Sequence, residues 1–356
     1  MQRPELLLRQ SAWMTETEDS AVVLSSRIRL ARNLENVPFP HALAPKDASQ
    51  LEQKLAQVLM EAEVNGEKLT YLFLNKLSSI EQQVLLEKHL ISPALVNSPI
   101  SSGVALAPDH SIAVMVNEED HLRIQVLLPG NALRATYHLA NELDDALETQ
   151  LDFAYREAQG YLTSCPTNVG TGLRASVMVH LPALVMTNQV QQVLGALTHL
   201  GLAVRGLYGE GSQAYGHIFQ ISNQITLGKS EEDIFAHLEA VTHQVVEHEL
   251  QAREALLKQA RLILEDKVWR AYGTLQNARL LTSEDAMHLL SHSRLGADLG
   301  ILPRPKQTFT NLLVDTLPGC LQFNFDQELD ATERDERRAH YIRAAFQEIP
   351  SDIRDE

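Results

Sequence analysis

The chain has 356 residues, 44% hydrophobic and 21% charged, which is enough apolar material for a substantial core and excludes a disordered chain. Its 30 Lys and Arg against 46 Asp and Glu leave a formal charge of −16, which excludes a general nucleic-acid binder, because phosphate backbones need a basic surface. Two cysteines, Cys165 and Cys320, cannot form a disulfide framework and predict a reducing, cytoplasmic setting; no apolar run reaches membrane-span length, and Leu6 to Leu8 is too short for a signal peptide.

Along the chain, Ala21 to Leu24 predicts a strand, Asp47 to Glu63 a helix of 3.6-residue apolar period, and Tyr71 to Leu74 a short buried strand. Ile112 to Val116 and Arg123 to Leu128 predict two strands with the acids Glu118-Glu119-Asp120 between them. A long helix is expected over Asn131 to Gly160, a strand over Ser176 to His180, and a helix over Met186 to Leu200 that ends at Gly201. His217 to Ser222 and Ile225 to Leu227 bracket Asn223-Gln224, the signature of a two-residue hairpin. Hairpin-like strands among helices, without regular βαβ spacing, predict an α+β fold with an antiparallel sheet. From Ser230-x-x-Asp233, a capping-box start, the pattern is helical to about Leu281. Further helices are expected from Thr282-x-x-Asp285, over Ala297 to Leu302, and over Ala331 to Gln347. The organisation expected is a lead-in over 1–20, a catalytic domain over 21–254 and an all-helical domain over 255–356.

Cations are unevenly distributed. From His89 to Gly228 there is no lysine and there are five arginines, Arg123, Arg134, Arg156, Arg174 and Arg205, with Arg27, Arg29 and Arg32 upstream in SSRIRLARN. Arginine without lysine, in short polar or glycine-bearing motifs, points to bidentate recognition of an anion. Gly228-Lys229-Ser230 is not a phosphate loop, because position 223 is Asn rather than the required glycine. Gly170-Thr171-Gly172 follows a turn rather than a strand and has no acid within the ribose-binding distance, so it is not a dinucleotide fingerprint. No histidine or cysteine spacing predicts a metal site; His243 and His248 are five apart on a long helix.

In this order, SSRIRLARN, NEEDHLR, CPTNVGTGLRAS and the RGxxGE segment resemble the ATP:guanidino phosphotransferase (phosphagen kinase) family over about residues 20 to 250. Asn97 to Gly103 (NSPISSG) and RDERRA in the tail resemble its bacterial protein-arginine kinase (McsB-type) branch, which phosphorylates arginine side chains in proteins and marks them for a Clp protease. The metabolite kinases carry a helical substrate domain ahead of the first motif; with SSRIRLAR starting at Ser25, that domain is expected to be absent.

The resemblance implies an ATP and Mg2+ site in which Ser25, Ser26, Arg27, Ile28 and Arg29, His89, Arg123, Arg174 with Ala175, Ser176, Val177 and Met178, and Arg205 with Gly206, Leu207, Tyr208, Gly209 and Glu210 meet the nucleotide. Magnesium would be held mainly through the phosphates. Glu119 would be the catalytic carboxylate, Glu210 the second carboxylate on the guanidinium, and Cys165 a neighbour of the guanidino group whose thiolate surrounding arginines would favour. Tyr208 stands where metabolite kinases have an arginine, and Gln213 where they have another substrate carboxylate. Arg334, Asp335, Arg338 and Ala339 would form an allosteric phosphoarginine pocket, although the four-residue spacing by itself predicts a solvated, salt-bridged helix face. Expected partners are proteins with exposed arginine, an activator protein, a Clp chaperone-protease and a second copy of the chain. The alternatives are a noncatalytic phosphoarginine-binding adaptor and a kinase of free arginine.

Overall fold

The computed structural model describes residues 4–17, 21–206 and 215–347. After the one-turn helix α1 (Glu5–Leu8), the chain enters β1 (Val23–Arg32) and then α2 (Pro45–Glu61), whose buried Ala48, Leu51, Leu55, Ala56 and Leu59 recur at helical spacing. A small hairpin, β2 (Glu63–Val64) and β3 (Glu67–Lys68), turns on Asn65-Gly66, both at positive φ as this turn requires. Next come β4 (Thr70–Phe73), α3 (Ser79–Glu87) with a Ser78–Glu81 capping box, and the single turn α4 (Pro93–Val96). Strands β5 (Gly103–Leu106), β6 (Ile112–Val116) and β7 (Leu122–Pro129) lead to α5 (Leu133–Glu148) and a second small hairpin, β8 (Tyr155–Arg156) and β9 (Gly160–Tyr161). Strand β10 (Leu173–His180), helices α6 (Pro182–Met186) and α7 (Val190–His199), and strands β11 (Leu202–Gly206) and β12 (Ile218–Asn223) complete the mixed part. From Glu231 the secondary structure is helical: α8 (Glu231–Gln259), α9 (Arg261–Asn277), α10 (Ser283–Asp298), α11 (Phe309–Asp315), α12 (Pro318–Phe325) and α13 (Ala331–Gln347).

Among the described residues eight strands form one sheet in the order β11-β12-β10-β1-β7-β6-β5-β4, every neighbouring pair antiparallel. This is the α+β architecture the sequence predicts. Helices α5 and α8 pack on one face of the sheet. No helix is long and apolar enough to cross a membrane among the described residues.

Tertiary pairing overrides local pattern in four places. The helix expected to reach Gly160 stops at Glu148, because the chain beyond it is extended along the end of β1, with Glu35 N donating to Asp152 O at 2.8 Å and Ala154 N to Asn33 O at 2.7 Å. The helix expected over Met186 to Leu200 is divided by Asn188, at φ 58°. Ile225 to Leu227 is not a strand: β12 ends at Asn223, whose side chain bonds back to β10, and Thr226 Oγ1 turns to Thr167 O and Val169 O. Ala297 to Leu302 is the end of α10 and a turn at Gly300, at φ 70°, while α11 and α12 arise where no helix is predicted.

Candidate active site

The site follows from the two-residue period of strands in register. On β1, Arg27 and Arg29 point to one face of the sheet, and Ser26, Ile28 and Leu30 to the other. Arg29 stands opposite Arg174 on β10 and Gln125 on β7; Arg27 is opposite Ser176; Ala31 is opposite Arg123; and Arg205 on β11 is opposite Gln220 on β12. Residues directly opposite share a face, so five arginines from four strands converge on one side. With His89, Glu118 and Glu119 they line a cleft of about 1070 Å³.

Among the described residues few acids face the cationic floor. Burial, with Arg123 and Arg174 beside it, lowers the Arg27 guanidinium to about 9, and burial with Arg27, Arg123 and Arg174 holds Arg29 well below its usual range. Arg27 donates to Gln220 Oε1 at 2.7 Å and Arg174 to Ser222 Oγ at 3.5 Å, both neutral acceptors; Arg29 Nε is buried with no hydrogen-bond partner among the described residues. Burial also lowers Arg123, but its pair with Glu118, at 2.5 Å, outweighs that and raises it. Such a surface is preorganised for a polyanion, whose arrival relieves the mutual repulsion. His89, in a left-handed conformation at φ 59°, lines the same cleft, and burial with Arg27 lowers it to about 3, so the imidazole is neutral.

The four residues after Asn117 have four separate tasks. Glu118 is held by Arg123 and accepts from Ser92 Oγ. Asp120 is buried, accepting from Asn33 Nδ2 at 2.6 Å and Ser164 N at 2.7 Å. His121 receives Leu34 N on Nδ1 and reaches Pro38 O through Nε2. Glu119 alone of the three acids is exposed, toward the cleft, and the thiol of Cys165 donates to it. Burial, then the charges of Asp120 and Glu118, raise its carboxyl above the ordinary value. A raised, accessible carboxylate beside a bed of arginines has the properties of a general base.

Other predicted positions are placed differently. Ser26, Ile28, Ala175 and Val177 face the helix layer, where they are at most 1% exposed and their side chains do not reach the cleft. Ser25, Ser176 and Met178 lie on the cleft side of the sheet, with Met178 against Trp13 and His89. Arg205 and Gly206 line the cleft; Leu207, Tyr208, Gly209, Glu210 and Gln213 lie outside the described residues. Arg32 is not in the clamp, since its even position turns it under α5 against Asp144 at 2.5 Å and over the Tyr161 ring at 3.5 Å. Arg134 and Arg156 are surface arginines, paired with Glu232 and Glu239 and with Glu35. The sequence reading missed Gln125, Gln220, Ser92 and His41, all in the cleft wall; parity along β7 and β12 could have found the two glutamines.

In the tail, the helix face of Arg334 and Arg338 is not solvated throughout. Arg338 is 1% exposed, donating to Thr316 O at 2.8 Å, Leu281 O at 2.7 Å and Asp335 Oδ1 at 2.6 Å, and Ala339 is buried beside it. Arg334 stays half-buried, donating to Leu329 O at 2.8 Å.

A model of the ATP:guanido phosphotransferase C-terminal catalytic domain matches residues 50–252, and one of the protein-arginine kinase McsB C-terminal domain matches 261–356. The protein-arginine kinase of Brevibacillus brevis is 48% identical over 96% of both chains. The chain belongs to the ATP:guanido phosphotransferase family, in its protein-arginine kinase branch. The protein-arginine kinase of Symbiobacterium thermophilum is 50% identical over 96% of this chain and 98% of its own, and that of Bacillus subtilis 49% identical over 94% and 92%. Among solved structures, a lombricine kinase superposes with TM-score 0.58 at 26% identity, covering 71% of this chain and 72% of that one. The duplicated taurocyamine kinase of Schistosoma mansoni, with bound transition state analog components, gives TM-score 0.59 at 26% identity over 68% of this chain and 34% of that one. The family is one of phosphotransferases that use ATP as substrate.

Proposed function

We propose that the chain transfers the γ-phosphoryl group of MgATP to the guanidinium of arginine residues in proteins. The observation that carries this is the exposed, raised carboxylate of Glu119 facing a bed of converging arginines. Arg27, Arg29, Arg123, Arg174 and Arg205 hold the phosphates and spread the developing charge. Magnesium would be held mainly through the phosphates of the nucleotide, where it would neutralise part of their charge. An arginine guanidinium is protonated in water and a poor nucleophile. Glu119, with Glu210 in the same role on the other edge, orients it and takes one proton as the nitrogen bonds to the γ-phosphorus. The bond from that phosphorus to the β–γ bridging oxygen breaks, and ADP leaves with the electron pair.

The division proposed is catalytic to about residue 254 and helical from about 255, with α8 continuous across it. In the helical part we assign a phosphoarginine pocket to Arg334, Asp335, Arg338 and Ala339. Arg338 and Asp335 are already fixed against the helix ends there, leaving Arg334 for the phosphate. The wider role proposed is cytoplasmic marking of proteins for a Clp protease under stress, by a homodimer working with an activator protein. The test is incubation with MgATP and either an unfolded protein or free arginine, followed by detection of acid-labile phosphate. Label on protein arginine that disappears in Glu119→Gln is the expected result. Equal transfer to free arginine, or transfer that survives Glu119→Gln, would refute the reading.

A further inference from the structure

We propose that Trp13, in the N-terminal segment 4–17, is a positioning residue of the nucleotide site, holding His89 in the orientation the nucleotide meets. This rests on the cleft being that of ATP. His89 carries a left-handed backbone, at φ 59°, which a non-glycine residue keeps only where its surroundings over-determine it. Those surroundings come from two sides. Gln125, in the cleft wall on β7, donates to His89 O at 2.7 Å. From behind, the Trp13 indole donates to the carbonyl of Lys88, the residue just before, at 3.1 Å, and its ring stands 5.4 Å from the imidazole, tilted by 53°.

The segment is built to keep that contact. The ammonium of Lys88 donates to Leu7 O and Arg9 O, each at 2.7 Å, so Lys88 holds the backbone of the segment while Trp13 of the same segment holds the carbonyl of Lys88. Ala12 N donates to Asp109 O at 2.8 Å, and Ser11 Oγ meets His110 Nδ1 at 3.1 Å. The far end is pinned to the helical part, where Glu16 accepts from Phe309 N at 3.0 Å and pairs with Arg304 at 3.3 Å. Trp13 is 3% exposed and, with His89, Met178, Leu313 and Val314, encloses a void of about 20 Å³. His89 is therefore a wall shared by the cleft and this void, and Trp13 sets where the wall stands.

The test uses the full chain and titrates it with MgADP. Trp13→Phe keeps an aromatic ring in the gap and removes the N–H together with the volume of the second, smaller ring. It is expected to weaken MgADP binding and raise KM for ATP about three- to tenfold, as a lost neutral hydrogen bond would, with KM for the protein substrate unchanged. Glu16→Gln, which loosens the far anchor, is expected to lower Tm without altering MgADP affinity. The chain has 2 tryptophans, so in a Trp269→Phe background Trp13 is the sole indole, and MgADP is expected to shift its emission. Unchanged MgADP affinity in a folded Trp13→Phe chain, an equal rise in both KM values, or silent Trp13 emission would overturn the assignment while leaving the nucleotide site standing. Failure of the wild type to bind MgADP would overturn both.

Discussion

Three consecutive acids, Glu118, Glu119 and Asp120, differ only in what the fold presents to them. Glu118 neutralises Arg123, Asp120 accepts from Asn33 and from the backbone of the 163–165 loop, and Glu119 is left exposed toward the cleft. Removing a positioned general base typically costs 10²–10⁴ in rate, so Glu119→Gln should lower kcat by about that factor with MgADP affinity unchanged in calorimetry. The pH profile follows from the sign of the shift. The base must be deprotonated, and burial with Asp120 and Glu118 raises its carboxyl, so activity should rise with pH along a limb centred above the ordinary glutamate value. Asp120→Asn keeps an acceptor for Ser164 N and removes one repelling charge. A kcat/KM profile should therefore show the limb moved toward lower pH, and a limb that stays in place would exclude this source of the shift.

At the scale of elements, β1 shows how one strand serves two layers. Odd positions deliver Arg27 and Arg29 to the cleft; even positions deliver Ile28, Leu30 and Arg32 to the helix layer, where Arg32 pairs with Asp144 of α5. Gly172, at φ 65°, is required beside this pair, because a Cβ there would meet Arg32 NH1 at 2.6 Å and Ala31 O at 2.7 Å. Breaking a buried pair leaves an uncompensated charge, so Asp144→Ala should cost about 3–5 kcal/mol in urea unfolding. The clamp behaves oppositely, being a buried surplus of positive charge that an anion relieves. MgADP at 100 times its Kd should therefore stabilise the chain by about 2.7 kcal/mol, read as a rise in Tm that Arg29→Ala diminishes.

Across the whole molecule, the mixed and helical parts share one hydrophobic core and a chain of alternating charges. Glu249 on α8 caps α6 through Ala183 N and Leu184 N and pairs with Arg253; Arg253 and Arg294 meet Asp298; and Glu16 meets Arg294 and Arg304. In this chain of charges three anions face three cations, so the formal net charge of −16 is carried by the remaining residues. That field would draw basic, arginine-rich proteins toward the cleft. Their association rate should fall steeply as salt shortens the screening length below about 10 Å. A flat salt profile in stopped-flow binding would confine the acidity to solubility.

Sequence alone carried the antiparallel α+β class, the sparse motif-bound arginines and the family to which those motifs belong, because alternation, caps and short polar motifs are local patterns. The capping box at Ser230, the cap at Thr282 and the extent of the last helix were legible for the same reason. Register was not local. It decided that Arg123, Arg174 and Arg205 meet Arg27 and Arg29 while Arg134, Arg156 and Arg32 are spent on ion pairs, and that Gln125 and Gln220 complete the wall. The same holds for the tail, where four-residue spacing predicts a solvated face and packing buries Arg338 against the carbonyls of two other segments. A residue's type states which contacts it can make. Which partner lies within hydrogen-bonding reach, and whether water does, is fixed only when strands from distant parts of the chain are laid side by side.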